Sequence, residues 1–321
     1  MWTFEPILKT TLWGGSRIAR FKGLTCKASG IGESWEVSDL DGNVSVVASG
    51  PDKGRSLRDL IQHYGADLTG RRNHNRFGER FPLLVKIIDA DLDLSVQVHP
   101  DDEMARRYGF PNGKSEMWYV VDAASGSRLG LGFNCSLTRD RFVEMSRSGD
   151  IEQALRFLPV RECDAFLIPP GTVHAIGKGV MLVEIQQTSD ITYRLYDYRR
   201  KDSAGNEREL HIDKGTEAVC LDFTDCAPVG YRPMTDIPVC LADTPNFTVN
   251  VVNLDHDLMR DYSELDSFVI LTAVKGNAVV SSGGESVSLA CGTSVLIPAS
   301  TSGVTLTPVA GGFTCLESFV R

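Results

Sequence analysis

Short apolar runs that end in turn residues dominate this chain and set what it can fold into. Runs rich in Val, Ile, Leu and aromatics occupy 81–88, 92–98, 116–121, 128–133, 165–168, 181–187 and 191–196, with Gly, Pro, Asn or Asp between many of them. After residue 233 the pattern resumes at 247–252, 267–274, 277–281, 286–289, 294–297 and 305–307. Runs of this length and composition are strands, and their close spacing predicts an all-β sandwich or barrel. Two segments depart from it. Residues 56–65 (SLRDLIQHYG) and 138–158 (TRDRFVEMSRSGDIEQALRFL) carry apolar residues three and four apart, which predicts helices inserted between strands. Ser148-Gly149-Asp150 divides the second into two short helices, with Asp150 as N-cap.

At roughly 150 residues per domain, 321 residues suggest two domains. An internal echo supports this: Cys163-Asp164-Ala165-Phe166-Leu167-Ile168-Pro169 resembles Gly292-Thr293-Ser294-Val295-Leu296-Ile297-Pro298. Two copies of one β fold explain the echo, although Leu-Ile-Pro after a turn is also common in β proteins. The boundary implied lies near 232/233. Domain 1–232 carries the helical insertions, at about 52–75 and 136–160, and 233–321 forms the second domain. Aligning Pro169 with Pro298 sets Gly303 opposite His174, and His256 is the only histidine after residue 211. Histidine chemistry therefore belongs to the first half.

The 33 basic and 42 acidic residues give a net charge of −9 and a pI near 5.2, against a nucleic-acid or anionic-membrane partner, since both need a positive field. No apolar run reaches the roughly 18 residues of a membrane span, and the start lacks the basic and apolar regions of a leader; a soluble cytoplasmic protein is expected. The eight cysteines include no C-x-x-C pair, which fits reduced structural thiols. Any metal should be held by histidine and carboxylate.

Around the run 92–98, Asp93, Ser95, Gln97 and His99 alternate with Leu94, Val96 and Val98, so four polar side chains share one face. Such a face usually meets water. Its company argues otherwise. Glu116 opens a strand directly after Gly113-Lys114-Ser115, and His174 closes the turn begun by Pro169-Pro170-Gly171. Gln97, His99, Glu116 and His174 offer two imidazoles, a carboxylate and an amide oxygen, a set suited to zinc-like divalent metals and poorly suited to magnesium or calcium. The spacing is expected to aim Gln97 and His99 from one strand, Glu116 from an adjoining strand and His174 from the Pro-Pro-Gly turn. Glu184 interrupts the run Met181 to Ile185 and Lys86 the run Leu83 to Ile88; neither charge is buried without a partner or a purpose. The basic run Arg71 to Arg76 is read as a solvated loop outside the site.

Ser95-Val96-Gln97-Val98-His99-Pro100-Asp101-Asp102, Gly113-Lys114-Ser115-Glu116-Met117-Trp118-Tyr119, Ile168-Pro169-Pro170-Gly171-Thr172-Val173-His174 and Ser189-Asp190-Ile191-Thr192-Tyr193-Arg194-Leu195-Tyr196, in that order, resemble the successive motifs of type I mannose-6-phosphate isomerases in their short bacterial form. Thr11-Leu12-Trp13-Gly14-Gly15 and Glu33-Ser34-Trp35-Glu36-Val37-Ser38 also match the N-terminal region of that family. The likeness is dense over about residues 1–215 and weaker beyond. It implies a mainly β bicupin, two jelly-roll barrels with a small helical insertion and a degenerate second cupin. It also implies interconversion of mannose 6-phosphate and fructose 6-phosphate with one zinc ion per chain. Gln97, His99, Glu116 and His174 match the metal ligands of the family. Arg194 matches a catalytic arginine, and Lys86, Lys114, Glu184 and Asp190 match polar residues of the pocket. Lys86, Glu184 and Asp190 are the acid–base candidates, while Lys114, Arg194 and Arg200 supply positive charge for the phosphate. Ser95 and Arg200 fall where longer relatives hold the phosphate, with Arg199 and Lys201 as neighbouring alternatives. Ile176 stands where those relatives have a tyrosine.

Two rival readings share the ligand set. An Fe(II) oxygenase also uses two histidines and a carboxylate, but has no use for Gln97 or for the surrounding Lys and Arg. A non-catalytic sugar-phosphate sensor has no need of Lys86, Glu184 and Arg194 beside intact metal ligands.

Overall fold

The computed structural model describes residues 1–25, 29–202, 204–222 and 226–321. It is mainly β. Its strands form a six-stranded, a five-stranded, a second six-stranded and a four-stranded sheet, plus one two-stranded ribbon. In the first, Ala165–Ile168, Glu116–Ala123, Val180–Gln187, Leu83–Asp89, Ile31–Val37 and Ile7–Gly15 lie side by side. The five-stranded sheet runs Leu155–Pro159, Arg128–Phe133, His174–Ile176, Val96–Val98 and Tyr193–Tyr196. Among the described residues no sheet closes on itself.

One strand order occurs twice. Ala165–Ile168, Glu116–Ala123, Val180–Gln187 and Leu83–Asp89 are matched later by Ser294–Ile297, Val269–Lys275, Phe313–Phe319 and Thr248–Leu254. Leu155–Pro159, Arg128–Phe133, His174–Ile176 and Val96–Val98 are matched in the same way by Glu285–Leu289, Ala278–Ser282, Gly303–Pro308 and Leu258–Asp261. The Leu-Ile-Pro echo thus falls on equivalent strands, and Gly303 heads the strand equivalent to the one His174 heads. Trp2–Thr3 crosses over to pair with Val295 and Leu296 in the later six-stranded sheet.

The first sheet is covered on both faces, so its strands read as nearly continuous apolar runs. Val85, Ile87, Val183 and Ile185 join one core with Leu60, Phe247, Val249 and Ile270. Ile88, Trp118, Phe166 and Leu182 join another with Leu129, Leu131 and Ile176 of the five-stranded sheet. The functional side chains lie between these two sheets.

The helix Leu57–Tyr64 forms as expected, with Ser56 and Asp59 capping each other reciprocally. Arg139–Ser148 is capped by Thr138 and stopped by left-handed Gly149. Four expectations fail. The next helix ends at Ala154, and Leu155–Pro159 is a strand on Arg128–Phe133, because Leu155 already has extended dihedrals (φ −71°, ψ 141°). Asp150 precedes that helix but makes no side-chain cap. Residues 71–77 form a helix, not a loop: the backbone N–H groups of Arg71 and Arg72 donate to Asp266, and buried Asn73 donates to Thr69, Ser267 and Val320. The run 92–98 is a strand only over Val96–Val98. Cys135, Cys163, Cys220, Cys240, Cys291 and Cys315 are free thiols, and Cys26 lies outside the described residues. No helix among the described residues is long and apolar enough to cross a membrane.

Candidate active site

Two rows of side chains face each other between the sheets. On the five-stranded sheet His174 lies opposite Gln97, and Gln97 opposite Arg194. On the facing sheet Lys86 lies opposite both Glu184 and Trp35, and Glu184 opposite Trp118. Strand alternation puts Glu116 on the face of Trp118, and Glu33 on the face of Trp35. Glu116 therefore does not come from a strand adjoining Gln97, as expected from the sequence; it reaches across from the opposite sheet. That arrangement lets the site be approached from both sides. Gly113 makes it possible, since a Cβ there would lie 2.4 Å from the carbonyl carbon of Asp101. Lys114 N–H donates to Pro100, and Ser115 N–H donates to Gln187.

His99, Glu116 and His174 are buried, and one ligand atom from each lies within 4.8 Å of the others. Nε2 of His99 is 3.2 Å from Glu116 Oε1, and Nε2 of His174 is 3.7 Å from Oε2. Both Nδ1–H groups are committed, that of His99 to the Ile191 carbonyl at 2.8 Å and that of His174 to the Thr172 carbonyl at 2.9 Å. The remaining lone pair, on Nε2, thus points inward in each ring. Burial depresses both imidazoles: the His99 pKa falls to about 3, with Lys114 adding to the effect, and His174 is lowered against the pull of Glu116. Burial pushes the Glu116 carboxyl up, but Lys114 and the two histidines outweigh it and hold that carboxyl well below the usual range.

This set fits a divalent cation. Neither buried oxygen of Glu116 receives a hydrogen bond of good geometry, although Lys114 Nζ sits 2.7 Å from Oε1 and 3.3 Å from His99 Nε2. The ammonium marks the point where positive charge is favoured. Gln97 presents its amide NH2 to His174 Nε2 at 3.2 Å, so ligation through its oxygen takes the amide turned over.

Above the triad lies a cavity of about 490 Å³ whose wall includes Gln97 and Lys114. Lys86, Ser95, Glu184, Asp190 and Arg194 also line it, as does Ile176. Asp93, the remaining polar residue of its run, instead accepts the Lys178 N–H. Lys86 Nζ lies 3.4 Å from Glu184 Oε1 and 3.7 Å from Glu33 Oε2. Burial opposes its charge, but Glu33, Glu184 and Asp190 prevail and raise its pKa. Glu184 also accepts from Trp118 Nε1 at 3.0 Å, and its pKa is raised by burial and by Glu116 against the opposing Lys86. Arg194 donates Nη1–H to the Glu209 carbonyl, and its Nε is buried without an acceptor. Burial and neighbouring Arg208 lower its pKa.

Arg200 is not on this wall. It donates to Asp197 and to the Asp93 carbonyl and faces a separate hollow of about 110 Å³. Glu33, Arg208, His211 and Lys214, given no role in the sequence reading, do line the cavity. Arg208 stood in the same basic stretch as Arg200, but nothing in its spacing marked it out.

Fold and site together define a cupin-containing protein with a two-histidine, one-carboxylate cluster able to hold a cation beneath a charged cleft. Comparison with known proteins makes the class specific. Residues 1–126 match the family model of the phosphomannose isomerase type I catalytic domain, and 240–312 that of the mannose-6-phosphate isomerase cupin domain. Mannose-6-phosphate isomerase ManA of Bacillus subtilis is 37% identical over 283 residues, 87% of each chain. The mannose-6-phosphate isomerase of Streptococcus mutans is 33% identical over 89% of each. The crystal structure of the Bacillus subtilis mannose 6-phosphate isomerase superposes with a TM-score of 0.86 at 29% identity, covering 99% of this chain and 98% of that one. The chain belongs to the type I phosphomannose isomerase family.

Proposed function

We propose that the cavity over Gln97 and Lys114 is where this enzyme interconverts mannose 6-phosphate and fructose 6-phosphate, with one zinc ion held by Gln97, His99, Glu116 and His174. The observation that carries the assignment is the buried Glu116 carboxylate, unsatisfied by directed donors and faced by two Nε2 lone pairs. A divalent ion bound there supplies Lewis acidity toward the oxygens of the two carbons that exchange the carbonyl.

The chain's own groups supply the rest. A proton leaves C2 of the aldose, the C–H electron pair forms the C1–C2 double bond, and the carbonyl π pair moves to O1. The O2–H group then gives up its proton and its bonding pair forms the C2 carbonyl, the C1–C2 π pair takes a proton at C1, and O1 takes a second proton, which completes the ketose. Glu184 is the carboxylate assigned to proton transfer, because its raised pKa lets it hold and release a proton nearer neutrality. Lys86, kept protonated by Glu33 and Glu184, acts as a positive charge and proton donor rather than as a base. Asp190 stands exposed on the cavity wall, where proton exchange with water is open to it. Arg194 stabilises the enediolate, and Ser95 offers a hydroxyl to the sugar phosphate.

The repeated eight-strand order supports two cupin units, divided near 232/233, with the chemistry confined to the first. The free thiols of Cys135, Cys163, Cys220, Cys240, Cys291 and Cys315 support a reducing, cytoplasmic setting. The oxygenase and sensor readings gain nothing from the family match. A coupled assay of fructose 6-phosphate formation decides the main reading: activity should vanish with chelator and return with zinc. Full activity in exhaustively chelated enzyme would overturn the metal assignment.

A further inference from the structure

Resting on the proposed reaction, we infer that the substrate phosphate is bound by Lys214 and His211, with Arg208 beside them, and that Arg200 is a buttress that does not touch substrate. The first ground is the state of Arg200. Its Nε, Nη1 and Nη2 all donate to Asp197 or to the Asp93 carbonyl, and it faces away from the cavity. Arg199 reaches the Ser148 carbonyl, Lys201 pairs with Glu207 through the backbone alone, and neither lines the cavity. Arg208 also engages Asp197, through Nε and Nη2, yet it lines the cavity. Arg200 and Asp197 thus fix Arg208 in place.

The second ground is the charge of the cavity end. Lys214 lies 5.0 Å from the Tyr108 ring centroid and 6.0 Å from that of Tyr193, and no carboxylate of the described residues lies within ion-pair distance of it. The acids of its helix are engaged elsewhere: Glu217 by Arg107 and Tyr108, Asp213 by Arg147. Gly215 presses the helix onto the strand below, since a Cβ there would lie 2.5 Å from Cδ2 of fully buried Leu195. His211 N–H donates to the Arg194 carbonyl. Arg194, Arg208 and Lys214 therefore converge on one wall with His211 beside them, and a dianion offsets the mutual repulsion of the three cations while His211 offers it a ring N–H.

The third ground is distance. Arg194 is two strands from His174 through Gln97, about 10 Å at ordinary strand spacing. That is the order of length of an open-chain hexose 6-phosphate. A sugar with its carbonyl end at the triad thus carries its phosphate to this wall.

Zinc-loaded wild type, Lys214→Met, His211→Asn and Arg200→Met should be compared by steady-state kinetics and by inhibition with orthophosphate. Lys214→Met should raise KM for mannose 6-phosphate and weaken orthophosphate inhibition by about 10- to 100-fold, the loss of one charge-assisted contact. Its preference for mannose 6-phosphate over free mannose should fall in proportion. His211→Asn should move the same quantities in the same direction. Arg200→Met should lower thermal stability and shift orthophosphate inhibition by less than Lys214→Met does. Unchanged KM and inhibition in both Lys214→Met and His211→Asn would overturn the assignment, as would a larger loss in Arg200→Met or a fall in Lys214→Met confined to kcat. Inactive wild type would instead sink the proposed reaction itself.

Discussion

Replacing Arg194 tests whether the cavity stabilises a transition state or merely holds a substrate. Its guanidinium is anchored through one Nη1–H to the Glu209 carbonyl, its Nε–H is buried without an acceptor, and the residue lines the cavity. It sits one strand from Gln97, on the path between the triad and the cationic wall. A donor so placed acts on charge that grows during enolisation, and losing one such donor typically costs about 100- to 1,000-fold in kcat, or about 3–4 kcal/mol. Arg194→Ala should therefore lower kcat by about two orders of magnitude or more with a smaller change in KM. Arg194→Lys should recover only part of the rate, because an ammonium cannot span two oxygens as a guanidinium does. The assay is initial-rate kinetics in both directions, on protein whose zinc content and circular dichroism match wild type. A normal kcat with a tenfold higher KM would place Arg194 with the phosphate and refute the electrostatic argument.

His99→Ala should abolish both bound zinc and activity, measured by elemental analysis and the coupled assay; stoichiometric zinc with full activity would remove His99 from the ligand set. Native enzyme should carry one tightly bound metal per chain, since the later half places Gly303 where the first has His174; a second ion surviving His99→Ala with His174→Ala would contradict this. In chelated enzyme, stability should fall as pH drops below about 6.5, because the unfolded chain then protonates His99 while the folded site, with a pKa of about 3, does not. The loss from His99 is about 2 kcal/mol by pH 5, read from urea unfolding, and its persistence in His99→Asn would show another origin. Arg260→Met should destabilise by about 3–5 kcal/mol by leaving Glu317 buried and unpaired, and adding Glu317→Gln should restore part of that; an unchanged melting temperature in the single variant would count against a stabilising role.

What the sequence disclosed depended on whether a residue's local pattern carried its role. Gln97, His99, Glu116 and His174 were legible because residue type and turn context were unusual at each position. Lys86 and Glu184 were legible because a charge inside an apolar run has few explanations. The pattern did not show that Glu116 belongs to the opposite sheet, since sheet assignment is a long-range property. Nor did alternation over 92–98 show where pairing stops: Leu94 N–H donates to Ile176 and Asp93 turns to Lys178, so the ladder is regular only from Val96. Arg208 precedes the helix Ile212–Ala218 in a stretch with no periodicity to read, and Lys214 lies on a helix too short to announce itself.

The repeated strand order gives a physical reason for the proposal that one half keeps chemistry and the other does not. Glu184 lies opposite Lys86 in the first half, and Glu317 occupies the equivalent strand opposite Asn250 in the second. Each is a carboxylate buried between two sheets, and each needs positive charge nearby. Glu317 has that need met from within: Arg260 binds it through Nε and Nη2, Tyr262 donates at 2.7 Å and Asn250 at 2.7 Å. A carboxylate so fully satisfied has nothing left to offer a ligand. In the first half the carboxylates outnumber such fixed partners: Glu33, Glu116 and Glu184 are served by Lys86 and Lys114, with both Glu116 oxygens lacking directed donors. The two halves thus differ in where the balancing charge comes from. A guanidinium built into the chain closes one, and on the proposed reading a cation taken from solution, with a phosphate at the far wall, completes the other.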